Sequence, residues 1–205
     1  MTRLTRILLA LVAIFALAAL PAAADKPASP GKSKTAPHGK AKGIGKGVTK
    51  IKSDTTTLEL DAATLGALSA AGYNIAAAAP ATAVGSVLSF PITKGRVHFA
   101  KGKKKKLNGY VNHSGGITFT KGAVVVTASD LRIHLSSSKK VRVFAKVGSE
   151  NVRLLDLKDV VVADGKISAN ALLAAAGAAR LNTAFAGTTF TAGLPMGKVT
   201  VTPGA

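Results

Sequence analysis

The feature that most constrains the fold is the alternation of apolar and polar residues across positions 107–135. Short runs of this kind are separated there by Ser-Gly-Gly, Lys-Gly and Ser-Asp breaks, at the spacing of strands and turns. Leu131 and Ile133 alternate with Arg132 and His134, which places apolar side chains on one face and polar ones on the other. The block therefore predicts three or four consecutive antiparallel strands, half of a sandwich or open barrel.

The flanking segments extend this pattern and add two helices. Asp61 is a good N-cap for a helix over 62–71 that ends at Gly72, and Asn170 is an equivalent cap for a helix over 171–181. Asp164-Gly165 predicts a two-residue hairpin turn. The fold class is therefore mainly β, an antiparallel β-sandwich-like or open-barrel domain with two short Ala-rich helices. Further strands are expected at 55–60, 87–92, 95–99, 141–147, 152–157, 160–163, 166–169 and 197–201, with a loop at 76–83.

The N-terminal 24 residues have the three parts of a secretory signal peptide. Two arginines precede an apolar run over 7–20, and Pro21-Ala22-Ala23-Ala24 offers a small-residue cleavage site. The apolar run is shorter than the ~20 residues that a membrane-spanning helix needs. We therefore expect export, no transmembrane span after cleavage, and a secreted or extracellular protein, including association with the cell wall.

Residues 25–53 are rich in Lys, Pro and Gly and contain almost nothing large enough to bury. Such a composition predicts a disordered basic tether, followed by a single β-rich domain over 54–205. The whole chain has 28 Lys and Arg against 9 Asp and Glu, so both parts attract polyanions. The absence of Cys excludes disulfides and thiolate metal sites.

Several short segments resemble one known family. The chain is similar to the HtaA-like domain of actinobacterial cell-surface and secreted proteins, and the resemblance implies a β-rich module with one or two short helices. It further implies haem capture during iron uptake. The segments that carry it are SFPI at 89–92, NGYV at 108–111, GGITF at 115–119, VTASDLRI at 126–133, LLDL at 154–157 and AGLP at 192–195.

The haem ligands implied by this resemblance are missing. Family members that bind haem carry a Tyr on the first helix and a His just after the central strand, and the approximate matching positions here are Ser69 and Gly122. Neither side chain can ligate iron. Tyr73, Tyr110 and His113 are the remaining candidate ligands, with packing and turn roles as the alternatives, so haem affinity is expected to be weak or absent.

Basic residues recur on the outward positions of the predicted strands. The pattern Arg-apolar-His-apolar occurs at 96–99 and at 132–135, and KGKKKK at 101–106 lies where a hairpin tip is expected. An ordinary solvated sheet face and tip is the alternative to an anion site. The candidate polyanion-binding residues are Lys101, Lys103, Lys104, Lys105, Lys106, Arg96, His98, Arg132, His134 and Arg142.

The sequence contains no convincing catalytic constellation. His113-Ser114 lacks the spatial arrangement of a triad, and Asp156, Asp159 and Asp164 are better explained as solvated turn residues than as a metal site. We therefore predict a non-enzymatic binding domain at the cell envelope, and its resemblance to the HtaA-like family implies a haem-uptake module. A polyanion-binding wall-associated protein is the alternative, and a secreted hydrolase is the third hypothesis. Nucleic-acid binding is disfavoured because the basic segments lack interleaved aromatic residues.

Overall fold

The protein consists mainly of long antiparallel strands whose side chains alternate between inward and outward positions. A computed structural model describes residues 48–51, 54–99 and 107–202. The strands and helices in chain order are β1 (Val48–Ile51), β2 (Thr55–Leu60), α1 (Ala62–Ala70), β3 (Tyr73–Ala78), β4 (Thr82–Val84), β5 (Val87–Phe99), β6 (Leu107–His113), β7 (Gly116–Lys121), β8 (Val124–Ser137), β9 (Lys140–Val147), β10 (Glu150–Ala163), β11 (Lys166–Leu173), α2 (Ala175–Ala184) and β12 (Pro195–Val201).

Eight of these strands close into a ring. The hydrogen-bonded order is β2, β5, β6, β8, β9, β10, β11, β12 and back to β2, with every pair antiparallel. Outside the ring, β1 and β4 pair with β5, while β7 pairs with β8 and β3 with β7. The predicted mainly β domain with two short helices is confirmed, and its sheet closes into an eight-stranded barrel.

Side chains fill the barrel interior. Leu131, Ile133 and Leu135 on β8 are all buried, as the alternation predicted, and Val111 and Val143 on the neighbouring strands are buried beside them. Small cavities lie between the inward side chains of the described strands, with volumes of about 30 and 10 Å³. Cavities of this size accommodate one or two water molecules at most.

The first helix begins where its cap predicted, and the second does not. The Asp61 carboxylate accepts a hydrogen bond of 2.8 Å from the backbone N–H of Thr64, and Gly72 follows the helix with φ +81°. Asn170 does not cap α2. Asn170 lies in β11, because the alternation of buried and exposed residues in that strand continues to Leu173. Its side-chain amide donates a hydrogen bond of 3.0 Å to the Asp159 carboxylate.

Two other expectations on element boundaries were wrong. The segment 76–83, expected to be a loop, contains the end of β3 and most of β4, because pairing with β7 and β5 overrides the weak strand preference of its alanines. The predicted tether over 25–53 contains β1, in which Ile51 is buried against the barrel. The signal peptide, most of the tether and the Lys101–Lys106 tip lie outside the described residues.

Candidate functional site

The outward basic residues predicted from the sequence meet on one wall of the barrel. The strand register places Arg96 on β5 opposite Tyr110 on β6, Tyr110 opposite His134 on β8, and His134 opposite Arg142 on β9. Arg132, two residues before His134, completes this group. We call the five residues Arg96, Tyr110, Arg132, His134 and Arg142 the basic face.

Aromatic rings lie between the cations of the basic face. The Arg132 guanidinium lies over the Tyr110 ring at 5.1 Å from its centroid. The His134 ring is 6.5 Å from that of Phe144, which is half-buried on β9 opposite Arg132. Both contacts join diagonal neighbours on adjacent strands, a distance that long and aromatic side chains can bridge. The wall therefore alternates cationic groups with flat apolar surfaces.

The arginines of the basic face are not neutralised by nearby acids. Among the described residues, no carboxylate lies within 4.0 Å of the guanidinium groups of Arg96, Arg132 or Arg142. Asp156, opposite Arg142 in the register, instead accepts hydrogen bonds of 2.8 and 2.6 Å from Arg153. These three arginines can therefore donate charge-assisted hydrogen bonds to an external anion.

Of the remaining candidates for polyanion binding, His98 alone lies among the described residues. His98 lies on β5 two residues beyond Arg96, opposite Asn108 of β6, and is half-buried. The strands that precede and follow Lys101–Lys106 pair with each other as a hairpin, as expected for a tip between them. The candidates in that tip, Lys101, Lys103, Lys104, Lys105 and Lys106, lie outside the described residues.

The three candidate haem ligands lie in three different environments. Tyr73 begins β3 and is buried; its hydroxyl donates to the Thr189 hydroxyl at 3.2 Å, and its ring packs edge to face against Phe185 and Phe190. Tyr110 belongs to the basic face on the outside of the barrel. His113 points into the barrel interior. The structure does not bring these three side chains together.

The imidazole of His113 uses both ring nitrogens inside the protein. Nδ1 lies 3.0 Å from the backbone carbonyl oxygen of Leu131, which can only accept, so Nδ1 carries the proton. Nε2 is therefore the acceptor for the Thr56 hydroxyl at 2.7 Å. Burial lowers the pKa of His113 to about 4, against the smaller raising effect of the Leu131 carbonyl.

The positions that match the family's haem ligands lie near one another. Ser69 is exposed on the last turn of α1, and β3 begins directly after this helix. Tyr73 at the start of β3 pairs with Lys121, and Gly122 follows Lys121 in the β7–β8 turn with φ +56°. A Cβ atom on Gly122 would meet nothing within 4 Å. This corner of the fold has open space at Gly122, but neither Ser69 nor Gly122 offers an iron ligand, and the Tyr73 hydroxyl is hydrogen-bonded to Thr189.

A surface groove lies on the wall opposite the basic face, beside β2, β11 and β12. Its volume is about 540 Å³, and its lining includes Glu59 and Asp61 as well as Lys198. This groove therefore contains both acidic and basic side chains, whereas the five residues of the basic face include no acidic one. Among residues 48–51, 54–99 and 107–202, no cluster of three or more His, Cys, Asp or Glu is arranged to hold a metal ion.

Comparison with known proteins gives a match in fold but none in sequence. No family model matches the sequence, and no curated protein matches it. The fold matches the crystal structure of the C-terminal domain of HtaA from Corynebacterium glutamicum with a TM-score of 0.51 and 15% identity. The match covers 74% of this chain and 95% of that domain. The chain has a distant HtaA-like fold.

The HtaA-like fold agrees with the resemblance seen in the sequence. At 15% identity the match shows a shared architecture alone. The strand pattern in the sequence predicts that the arginines and histidines face outward, but it does not place Tyr110 or Phe144 on the same surface. The signal for Phe144 was present, because this large aromatic residue occupies an outward position between Arg142 and Lys146. No helix in the described part of the chain is long and apolar enough to cross a membrane.

Proposed function

We propose that this protein is an exported, non-enzymatic binding domain of the cell envelope that holds an anionic polymer on its basic face. The observation that carries the proposal is the group of three arginines aligned across β5, β8 and β9, none of which has a carboxylate within 4.0 Å in the described part of the chain. Unpaired guanidinium groups on a rigid sheet favour phosphate, sulfate or carboxylate ligands. The tether and the Lys101–Lys106 tip add sequence-independent attraction.

The test is a salt series with polyphosphate as the probe. Replacing Arg96 and Arg132 by Gln should lower the affinity about 10-fold near 50 mM salt, because two exposed charge contacts are each worth at most about 1 kcal/mol. The slope of log affinity against log salt should become shallower by about 1.4, at ~0.7 per lost contact. Isothermal titration over several salt concentrations measures both quantities.

The matched control is the Lys166→Gln/Lys198→Gln variant. It also removes two exposed positive charges, but from β11 and β12 on the opposite wall of the barrel. Both double variants keep the tether and the Lys101–Lys106 tip, so the contributions of those segments cancel. Equal losses in the two variants would mean that net charge alone determines binding, and the basic face would then not be the site.

Haem capture is the second candidate function, and the HtaA-like fold favours it. The donor set does not fit haem ligation: Ser69 and Gly122 offer no iron ligand, Tyr73 is buried and hydrogen-bonded, and both nitrogens of His113 are engaged inside the barrel. We therefore propose that the fold is retained here without axial ligation of haem.

A gain-of-function variant tests this second candidate. Wild-type protein should give no saturable Soret band on haem titration, whereas Ser69→Tyr/Gly122→His should give one at a 1:1 ratio. His is among the residues that tolerate the left-handed backbone of position 122, and the space there is open. A stoichiometric Soret band of the wild type that disappears in Tyr73→Phe or Tyr110→Phe would establish native haem binding and contradict the proposal.

A further inference from the structure

A groove that adjoins the basic face contains several types of side chain, whereas binding of a polyanion by charge needs only basic ones. It lies on the outside of β8, β9 and the start of β10, with a volume of about 340 Å³. Cationic, acidic, amide and aromatic side chains all contribute to it. The residues that line the groove are Asp130, Arg132, His134, Phe144, Lys146 and Asn151.

The aromatic ring of Phe144 supplies an apolar surface in this groove. Phe144 is half-buried on β9, with Arg132 directly opposite on β8 and the His134 ring tilted beside it. The face of an aromatic ring carries partial negative charge and attracts weakly positive C–H groups. A flat, C–H-bearing ring such as a sugar therefore fits against Phe144 while its charged substituent reaches Arg132 or His134.

The carboxylate of Asp130 is the second unusual feature. It lies in a basic groove, where it would repel a ligand that consisted of negative charge alone. A β-bulge between Ser129 and Arg132 holds Asp130 at φ +52°, a backbone conformation that Asp tolerates better than most residues. Its Oδ2 lies 3.0 Å from Nζ of Lys146, and Asn151 stands opposite Lys146 on β10.

These polar groups suit hydroxyl recognition. A carboxylate accepts hydrogen bonds from hydroxyl groups, and the amide of Asn151 can both donate and accept. Neutral hydroxyls beside an anionic group are the pattern of an acidic sugar. Polyphosphate has no hydroxyl or C–H surface along its chain, so Asp130, Asn151 and Phe144 have nothing to recognise in it.

We propose that this groove binds one acidic sugar unit of an anionic glycan, an inference that rests on the polyanion-binding function proposed above. Arg132 and His134 bind the carboxylate or phosphate of the sugar, Phe144 packs against its ring face, and Asp130 and Asn151 hydrogen-bond to its hydroxyls. The basic face continues from the groove across β6 to β5 and binds the anionic groups of the following units.

The experiment compares three probes of similar charge: polygalacturonate, polyphosphate and an oligothymidylate. The Phe144→Leu variant keeps the barrel wall covered but removes the aromatic face. Its affinity for polygalacturonate should fall about 10-fold, and its affinity for polyphosphate should remain within twofold of the wild type. The matched control is Val161→Ala, which changes an exposed apolar side chain on β10 outside the groove and should alter neither affinity.

A second variant gives changes of opposite sign. Asp130→Gly fits the positive φ and removes both the carboxylate and its negative charge. Affinity should rise for polyphosphate, because repulsion is lost, and fall for polygalacturonate, because hydroxyl contacts are lost. Far-UV circular dichroism and thermal unfolding of each variant check that the barrel remains folded.

The other outcomes separate the two proposals. Equal responses of polygalacturonate and polyphosphate to both variants would overturn the sugar site and leave the polyanion function standing. Tighter, Phe144-dependent binding of oligothymidylate than of polygalacturonate would overturn it in favour of nucleic acid. If none of the three probes binds in a salt-dependent manner, the proposed function itself fails and the sugar site with it.

Discussion

Replacing Gly109 by Ala is expected to prevent the barrel from closing. Gly109 lies on β6 with φ +146°, and a Cβ atom there would be 1.9 Å from the carbonyl oxygen of Arg96 on β5. The obstructing atom belongs to the backbone of a paired strand, so relief requires separation of β5 from β6. We expect a destabilisation of at least ~4 kcal/mol, comparable with the whole stability of many domains. Circular dichroism should show loss of cooperative thermal unfolding.

Two further glycines separate the steric and conformational contributions. Gly116→Ala places a Cβ atom 2.2 Å from the Ala128 carbonyl oxygen without a positive φ, and should also be severely destabilising. Gly122→Ala has φ +56° but open space, so it should cost only the ~1–2 kcal/mol of left-handed backbone. If Gly109→Ala and Gly122→Ala have similar melting temperatures, the close β5–β6 approach does not constrain the barrel.

The second large effect is a dependence of stability on pH that arises from His113. The unfolded chain has a His pKa near 6.5, whereas burial lowers the pKa of folded His113 to about 4. Between these values the unfolded state binds a proton that the folded state does not. This contribution to stability is therefore fully present above pH 6.5 and is lost as the pH falls toward 4. The expected loss from this residue at pH 4.5 is about 2.5 kcal/mol.

The measurement is urea unfolding followed by circular dichroism at pH 7.5 and 4.5. His113→Gln should be less stable than the wild type at pH 7.5, because one side chain no longer links Thr56 to the Leu131 carbonyl. Its disadvantage should shrink by about 2.5 kcal/mol, or change sign, at pH 4.5. His134→Gln changes an exposed position on β8 and leaves the buried imidazole of His113 in place. It should show the same difference in unfolding free energy between pH 7.5 and 4.5 as the wild type. If the unfolding free energies of wild type and His113→Gln differ by the same amount at both pH values, His113 is not the origin of the pH dependence.

The strands were predictable where one face is buried. Alternation along β8 and β9 identified their inward and outward residues, and Asp164-Gly165 forms the expected turn, with both residues at positive φ. Pairs of strands that the sequence separated at residues 93–94 and 158–159 are continuous as β5 and β10, because irregular pairings, with a bulge at Asp159 in β10, interrupt the alternation without ending the strand.

The strand β3 could not be read from the sequence. Its alanines have low strand preference, and only pairing with β7 makes the segment extended. The same limit applies to the candidate site. The pattern Arg-apolar-His showed which residues face outward, but the register between strands, which places Tyr110 between Arg96 and His134, depends on contacts across the whole sheet. The closed ring was likewise invisible to local patterns.

The ring closes by pairing β2, near the start of the described chain, with β12, at its end. Contacts between residues so distant in sequence form only after the intervening chain has been ordered, and folds dominated by such contacts fold slowly. The barrel therefore cannot be completed until the last strand has been synthesised. Until then one edge of β2 and one edge of β11 have no partner, so the sheet stays open until β12, its last strand, pairs with both.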